Sequence, residues 1–205
     1  MRRFLSSTHQ FYSHTVTGMR AVIAVSSVIF WHVFFFAHAF AQQTQAPAQY
    51  QHCAACHGAS GEGNHSLNAP AIAGLSQSYL ARQLRNFHSG IRGNHPQDTL
   101  GQQMQAMTKA LDKDKDIPAL VAYLATLTPA TVAQQTQGDL TNGSRYYQGK
   151  CGACHGGQAQ GNEAFNAPRL AGQDSAYLKR QMHHFANGIR GTHSDDKYGR
   201  QMAMM

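Results

Sequence analysis

Charged residues are sparse in this chain: Asp, Glu, Lys and Arg make up 13% of its 205 residues, against 42% apolar. That balance is lean for small domains that must each bury a core, and it implies that something other than side chains fills part of each interior. Cysteine is rarer still, and all four cysteines fall in two pentapeptides, so no disulfide framework can be built from others. No Lys/Arg run is interleaved with aromatics, which argues against a nucleic-acid footprint. No window alternates apolar and polar residues as a half-buried strand would. Outside the two pentapeptides no acid, base and nucleophile come together in the sequence, which argues against hydrolytic or transferase chemistry.

The excess of positive charge is smaller than it looks. The formal charge is +7, but the first 41 residues hold Arg2, Arg3 and Arg20 and no acid. The remainder has 17 − 3 = 14 bases against 10 acids, or +4.

Those first residues read as an export segment. Arg20 is followed by an apolar run through Ile29, Phe30, Trp31 and Phe34 to Phe36, which ends at Ala39-Phe40-Ala41. This is the basic, apolar and small-x-small order of a secretory signal peptide, 1–41, with cleavage expected after Ala41. Met1 to Gly18 is long for the basic region, so Met19 is an alternative start. A run of roughly 20 residues is also long enough to anchor in a bilayer uncleaved. His32 and His38 within it, and the polar Gln42, Gln43 and Thr44 after it, favour cleavage. By either route the rest of the chain is exported, with the bacterial periplasm as its expected location.

A repeat at a fixed offset dictates the architecture. Cys53-Ala54-Ala55-Cys56-His57 recurs as Cys151-Gly152-Ala153-Cys154-His155, 98 positions on. With no gap, the same offset maps Asn68-Ala69-Pro70 onto Asn166-Ala167-Pro168, Tyr79-Leu80 onto Tyr177-Leu178, and Arg82-Gln83 onto Arg180-Gln181. It also maps Gly90-Ile91-Arg92-Gly93 onto Gly188-Ile189-Arg190-Gly191, His95 onto His193, and Met104 and Met107 onto Met202 and Met205. The predicted domains are 42–127 and 142–205, joined by a Thr-, Gln- and Ala-rich connector, 128–141. Helical spacing places Tyr79, Leu80, Gln83, Leu84 and Phe87 on one face, closed by Gly90, and the second copy repeats the stripe. Ile117, Leu120, Val121 and Leu124 form a further stripe, with Asp116 and Pro118 in its first turn. The predicted class is all-α.

Each Cys-x-x-Cys-His has a direct chemical logic. Two thiols on one helical turn can add to the two vinyl groups of one haem, and the adjacent imidazole then faces the iron. A thioredoxin-like pair would need a βαβ setting, and a structural zinc site would bring its Cys pairs within roughly 20 residues of each other. Repeated in register behind an export signal, the motif points to two covalently bound haems c. Their four propionates would roughly cancel the +4. For the sixth iron ligand the repeat offers methionines at 104, 107, 202 and 205, and histidines at 95 and 193. A thioether favours ferrous iron and raises the potential, and a second imidazole lowers it.

Cys-x-x-Cys-His-Gly, then Asn-Ala-Pro, Tyr-Leu-x-x-Gln-x-x-x-Phe, Gly-x-Arg, and a Met shortly before a Leu and an acidic helix start, resembles class I cytochrome c. The tandem arrangement is similar to the dihaem cytochrome c-four group, and the likeness covers nearly all of 45–205. The resemblance implies that Cys53, Cys56, Cys151 and Cys154 hold the haems. It implies His57 and Met107 on the first iron, and His155 and Met205 on the second, with Met104 and Met202 packed at the haem edge. It also implies that the Pro70 and Pro168 carbonyls hold the two proximal histidines. Tyr79, Arg82, Tyr177 and Arg180 are either propionate contacts or solvated helix-face residues. The expected role is that of a periplasmic electron carrier, not an enzyme. It would run between a quinol-oxidising membrane cytochrome complex or dehydrogenase and a terminal oxidase, with no small-molecule substrate and no nucleic acid.

The chain departs from that pattern at one point. The first copy runs on for about 20 residues past Met107, through a last helix, whereas the second stops at Met205. The expectation is a truncated sequence whose native form continues. Otherwise the second iron is five-coordinate or takes His193. An open iron would allow a peroxidase or gas-binding function, and a haem subunit of a dehydrogenase complex is a third possibility.

Overall fold

The computed structural model describes residues 45–129 and 138–205. The export segment, the choice between Met1 and Met19, and the middle of the connector lie outside the described residues. Those described are helical; the pairings that are not helical are two isolated bridges, Asn64 with Ala69 and Asn162 with Ala167. No described helix is long and apolar enough to cross a membrane.

Four helices build the first copy. α1 (Tyr50–His57) carries the first cysteine motif and ends at Gly58. α2 (Gln77–His88) starts where the Ser76 hydroxyl accepts from the Tyr79 N–H, and it buries Leu80 and Phe87, two members of the predicted stripe. α3 (Thr99–Lys109) is capped by Asp98, whose carboxylate accepts the Gly101 N–H at 2.9 Å. Such a cap satisfies a donor that the helix cannot, and removing one costs roughly 1 kcal/mol. α4 (Asp116–Leu124) buries Ile117, Leu120, Val121 and Leu124, the predicted set. Asp116 in its first turn also accepts from the Gln49 side chain at 2.8 Å, tying α4 to the start of α1.

The second copy repeats most of this. α5 (Leu140–Lys150) and α6 (Gly152–His155) take the place of α1, a single 3₁₀ turn (Glu163–Phe165) follows, and then come α7 (Ser175–Ala186) and α8 (Lys197–Ala203). Asp174 caps α7 through the Tyr177 N–H, and Asp196 caps α8 through the Gly199 N–H. α4 has no counterpart among the described residues.

That difference shows in the packing. Tyr50, Leu80, Ile117, Leu120, Val121 and Leu124 form a continuous core, with Cys53, Ile72, Leu84 and Leu127 against it. Tyr50 meets Tyr123 edge-on at 4.8 Å between ring centres. Each fully buried aliphatic there contributes about 1.5–3 kcal/mol. In the second copy only Phe185 and Ile189 are buried among large apolar side chains, and α5 buries none of its residues. Leu140 and Tyr146 on α5 are largely exposed.

Leu120→Ala, in the middle of this core, is therefore expected to cost about 2–5 kcal/mol. Denaturant unfolding followed by helical circular dichroism measures it; a loss below about 0.5 kcal/mol, as at an exposed site, would show that α4 is not the main wall of the core.

Candidate functional site

α1 places Cys53 and Cys56 one turn apart, with His57 as its last residue and buried. All four cysteine thiols are free, Cys53 and Cys151 half-buried and Cys56 and Cys154 exposed. Burial pushes the Cys53 thiol up, and the neighbouring Cys56 adds to the shift.

In each copy the histidine ring is held from behind. His57 Nδ1 lies 2.8 Å from the Pro70 carbonyl oxygen, and His155 Nδ1 lies 2.9 Å from that of Pro168. A carbonyl can only accept, so the proton sits on Nδ1 and Nε2 presents a lone pair. Burial pulls the His57 pKa down and the bond to Pro70 opposes it, and the ring stays neutral as a metal ligand must.

The loop that delivers the proline depends on a glycine. The Gly63 N–H donates to the His57 carbonyl at 2.7 Å, and Gly161 does the same for His155 at 2.8 Å. Their φ values are +86° and +87°, and a Cβ on Gly63 would meet the Ala71 nitrogen at 2.6 Å and the Pro70 carbonyl carbon at 2.9 Å. On Gly161 it would meet the Arg169 nitrogen at 2.7 Å. Any side chain here would push the proline carbonyl off the imidazole. The repeat did contain this signal, since Gly63 and Gly161 match at the offset of 98.

A tyrosine hydroxyl closes the other side, donating from Tyr50 to the Gly58 carbonyl (2.9 Å) and from Tyr147 to the Gly156 carbonyl (2.6 Å). The sequence register places Gln148, not Tyr147, opposite Tyr50. The break between α5 and α6 at Cys151 accounts for the difference, because α5 reaches the motif in a different rotational phase.

α3 carries Met104 and Met107, α8 carries Met202, and Met205 follows it. Met107 is 47% exposed and Met205 68%, while Met104 and Met202 are half-buried. His95 and His193 tie their own loops, accepting through Nδ1 from the N–H groups of Gln97 and Asp195, each at 3.2 Å. Among the described residues no three His, Cys, Asp or Glu side chains cluster as a metal site.

Between the copies lies a joint that the sequence did not reveal. Gln83 Oε1 accepts from Arg92 (2.7 Å) and from Arg190 of the other half (3.1 Å). Gln181 Oε1 accepts from Arg190 (2.6 Å) and from Arg92 (3.1 Å). The four side chains close a ring in which each half supplies one donor and one acceptor to the other. Arg92 sits over the Phe87 ring and Arg190 over Phe185, at 4.4 and 4.6 Å from the ring centres. Outside this ring, Arg82 donates to the Asn166 carbonyl and side-chain oxygens at 2.8 and 3.2 Å, and Arg180 does the same to Asn68 at 2.9 and 3.2 Å. These arginines are thus not solvated on a helix face; they clasp the opposite half. Asn68 and Asn166 are in the left-handed region, with φ of 56° and 54°, which turns their carbonyls to the clasp.

Two features of the joint call for negative charge. The Nε atoms of Arg82, Arg92, Arg180 and Arg190 are buried without a partner. Burial would raise the Tyr177 pKa, yet the guanidiniums of Arg92 and Arg190 hold it below the usual phenol range. Buried like charges cost several kcal/mol unless counter-charges meet them. Free thiols one turn apart, an imidazole whose proton faces away from the metal position, and guanidiniums in need of carboxylates together fit haem c, which carries two vinyls, an iron and two propionates.

The profile of the cytochrome c family matches this chain twice, over residues 44–128 and 140–205. Cytochrome c4 of Azotobacter vinelandii is 30% identical over 176 residues, covering 82% of this chain and 83% of that protein. The thiosulfate dehydrogenase electron acceptor of Thiomonas intermedia is 35% identical over 184 residues, 84% of this chain and 78% of that one. Among solved structures, reduced cytochrome c4 from Pseudomonas stutzeri superimposes with a TM-score of 0.61 at 26% identity, over 78% of this chain and 90% of that chain. The chain belongs to the cytochrome c family, as a c4-like, all-α, dihaem class I electron-transfer cytochrome with two covalently bound haems c.

Proposed function

We propose that the protein carries electrons in the bacterial periplasm from a quinol-oxidising cytochrome complex or a dehydrogenase to a terminal oxidase, and performs no substrate chemistry of its own. The observation that carries this reading is the ring of Arg92, Gln83, Arg190 and Gln181, which joins the two halves, each with its own haem motif. When bound, each haem supplies a one-electron iron couple.

The residues of the chain hold and tune that couple. Cys53 and Cys56, with Cys151 and Cys154 in the second half, would form the thioether anchors. His57 and His155, oriented by Pro70 and Pro168, would hold the iron from one side. Met107 and Met205 would add soft thioether ligands, which favour the reduced state. Arg82, Arg92, Arg180 and Arg190, whose Nε atoms lack partners, would hold the propionates. Leu67 and Phe165 share one position of the repeat, and both are exposed. They form apolar contacts suited to brief docking of redox partners, with little need of steering charge.

A dehydrogenase donor has specific support. The Thiomonas intermedia relative, at 35% identity, is named as the electron acceptor of thiosulfate dehydrogenase, and a dehydrogenase acting on a reduced sulfur compound is the second donor class for this chain.

Met107→His is expected to lower the potential of one haem, on the order of a few hundred millivolts within the ~0.8 V that axial ligands command. An unchanged redox titration would remove Met107 as a ligand. Replacing Cys53 and Cys56 together by Ala should leave a single covalent haem on a haem-stained denaturing gel, and two retained haems would contradict the anchor assignment. Reduced protein should be reoxidised by oxidase-bearing membranes and only slowly by peroxide; the reverse order would favour an enzyme.

A further inference from the structure

The two halves match closely at their joint, and a departure from that match carries a consequence. On α7, position 184 is a histidine, where the repeat places Asn86 on α2. Both side chains are buried. His184 is 6% exposed, its Nδ1 has no hydrogen-bond partner, and that atom lies 3.7 Å from the buried carboxylate of Asp98 in the other half. A separation of 3.7 Å is too long for a hydrogen bond.

We propose that His184 is a proton-sensitive latch in the joint between the halves, sealed as a neutral ring when the joint is closed and released to water when it takes up a proton.

The surroundings of the ring set the direction. Asp98, which caps α3 through the Gly101 N–H, faces it from the first half and favours a proton, though at 3.7 Å it makes no hydrogen bond to the ring. From its own half Arg180, one turn earlier on α7, and Arg190, in the loop after it, disfavour a second positive charge, as does the adjacent ring of His183 at 6.3 Å between centres. The His184 carbonyl offers no help, because it already accepts from the Ile189 and Arg190 N–H groups. Burial, the largest influence, and these cations together outweigh Asp98 and hold the ring below the usual imidazole range.

An opened joint returns the ring to water and to its ordinary value. The closed joint therefore keeps its full stability above the ordinary imidazole range. It loses stability as pH falls through that range toward the lowered value, because the open state binds more protons. Asn86 cannot titrate, and the first half adds no matching sensitivity at this position.

The Ala71 amide reports on the latch, since its N–H is buried and donates across the joint to Gln173 at 2.9 Å. Hydrogen exchange is followed in the reduced holoprotein from about pH 8 to about pH 5, across the imidazole range, and corrected for the intrinsic exchange rate. In the wild type the Ala71 protection factor is expected to fall by up to about tenfold per pH unit below the imidazole range, the slope for one proton. In His184→Asn, which copies Asn86 and leaves the other imidazole–carboxylate contact across the joint, His65 with Asp174 at 2.7 Å, in place, the fall should be clearly shallower. Flat protection in the wild type, or an equally steep fall in the variant, would overturn the proposal. Should His184→Asn fail to fold, an NMR titration of the wild-type His184 ring decides: a lowered midpoint supports the latch, and an ordinary one refutes it.

Discussion

The hydrogen bond from an imidazole Nδ1 to a proline carbonyl thirteen residues further on governs the rest of the molecule. It is made twice, at 2.8 and 2.9 Å, and in each half it does two things. It chooses the tautomer, and it leaves Nε2 with its lone pair free for a metal. The loop between histidine and proline exists to deliver that carbonyl. This explains why Gly63 and Gly161 take positive φ beside backbone atoms that would exclude any Cβ, and why an isolated pair of bridge bonds, Asn64 with Ala69 and Asn162 with Ala167, pins the loop in an otherwise helical fold.

The joint between the halves follows a different logic, that of unpaired charge. Four arginines converge with no carboxylate bonded to any of them; their partners are amide and carbonyl oxygens. Neutral acceptors orient guanidiniums well but offset little of the cost of burying them. The cost falls once carboxylates lie at the unpartnered Nε atoms, so the joint and the cofactors stabilise each other.

The helices and the two motifs were legible in the sequence because each is a local pattern, whereas the proline tether was expected only through the resemblance to class I cytochrome c. The stripe of Ile117, Leu120, Val121 and Leu124 became α4, and the cysteine motif with its proline fell where the repeat put them. The joint was not legible, for a physical reason. Arg92 and Arg190 lie in glycine-flanked turns with no periodicity to mark a buried face, and their partners in the opposite half are more than eighty residues away in the chain. A polar side chain that pairs across two domains looks, in sequence, like a solvated one. The clue available was self-similarity, since Gln83, Arg92 and Asn68 all recur at the offset of 98. The one-residue shift from Gln148 to Tyr147 was hidden for the opposite reason: the offset of 98 holds without a gap through the motif, while the backbone breaks at Cys151.

A joint this symmetric gives neither half an advantage as donor or acceptor, so any direction of electron flow must come from where the halves differ. They differ in three respects. The first half is walled by α4, which buries Tyr50 and part of Cys53, whereas the second leaves Leu140 and Tyr146 of α5 open. Leu67 in one rim is replaced by the larger, aromatic Phe165 in the other. Asn86 is replaced by His184, which adds a titrating group next to Arg180 and Arg190. Of these, the exchange of Asn86 for His184 lies on the equivalent helices α2 and α7 and is buried in both halves, so it distinguishes them at the joint itself.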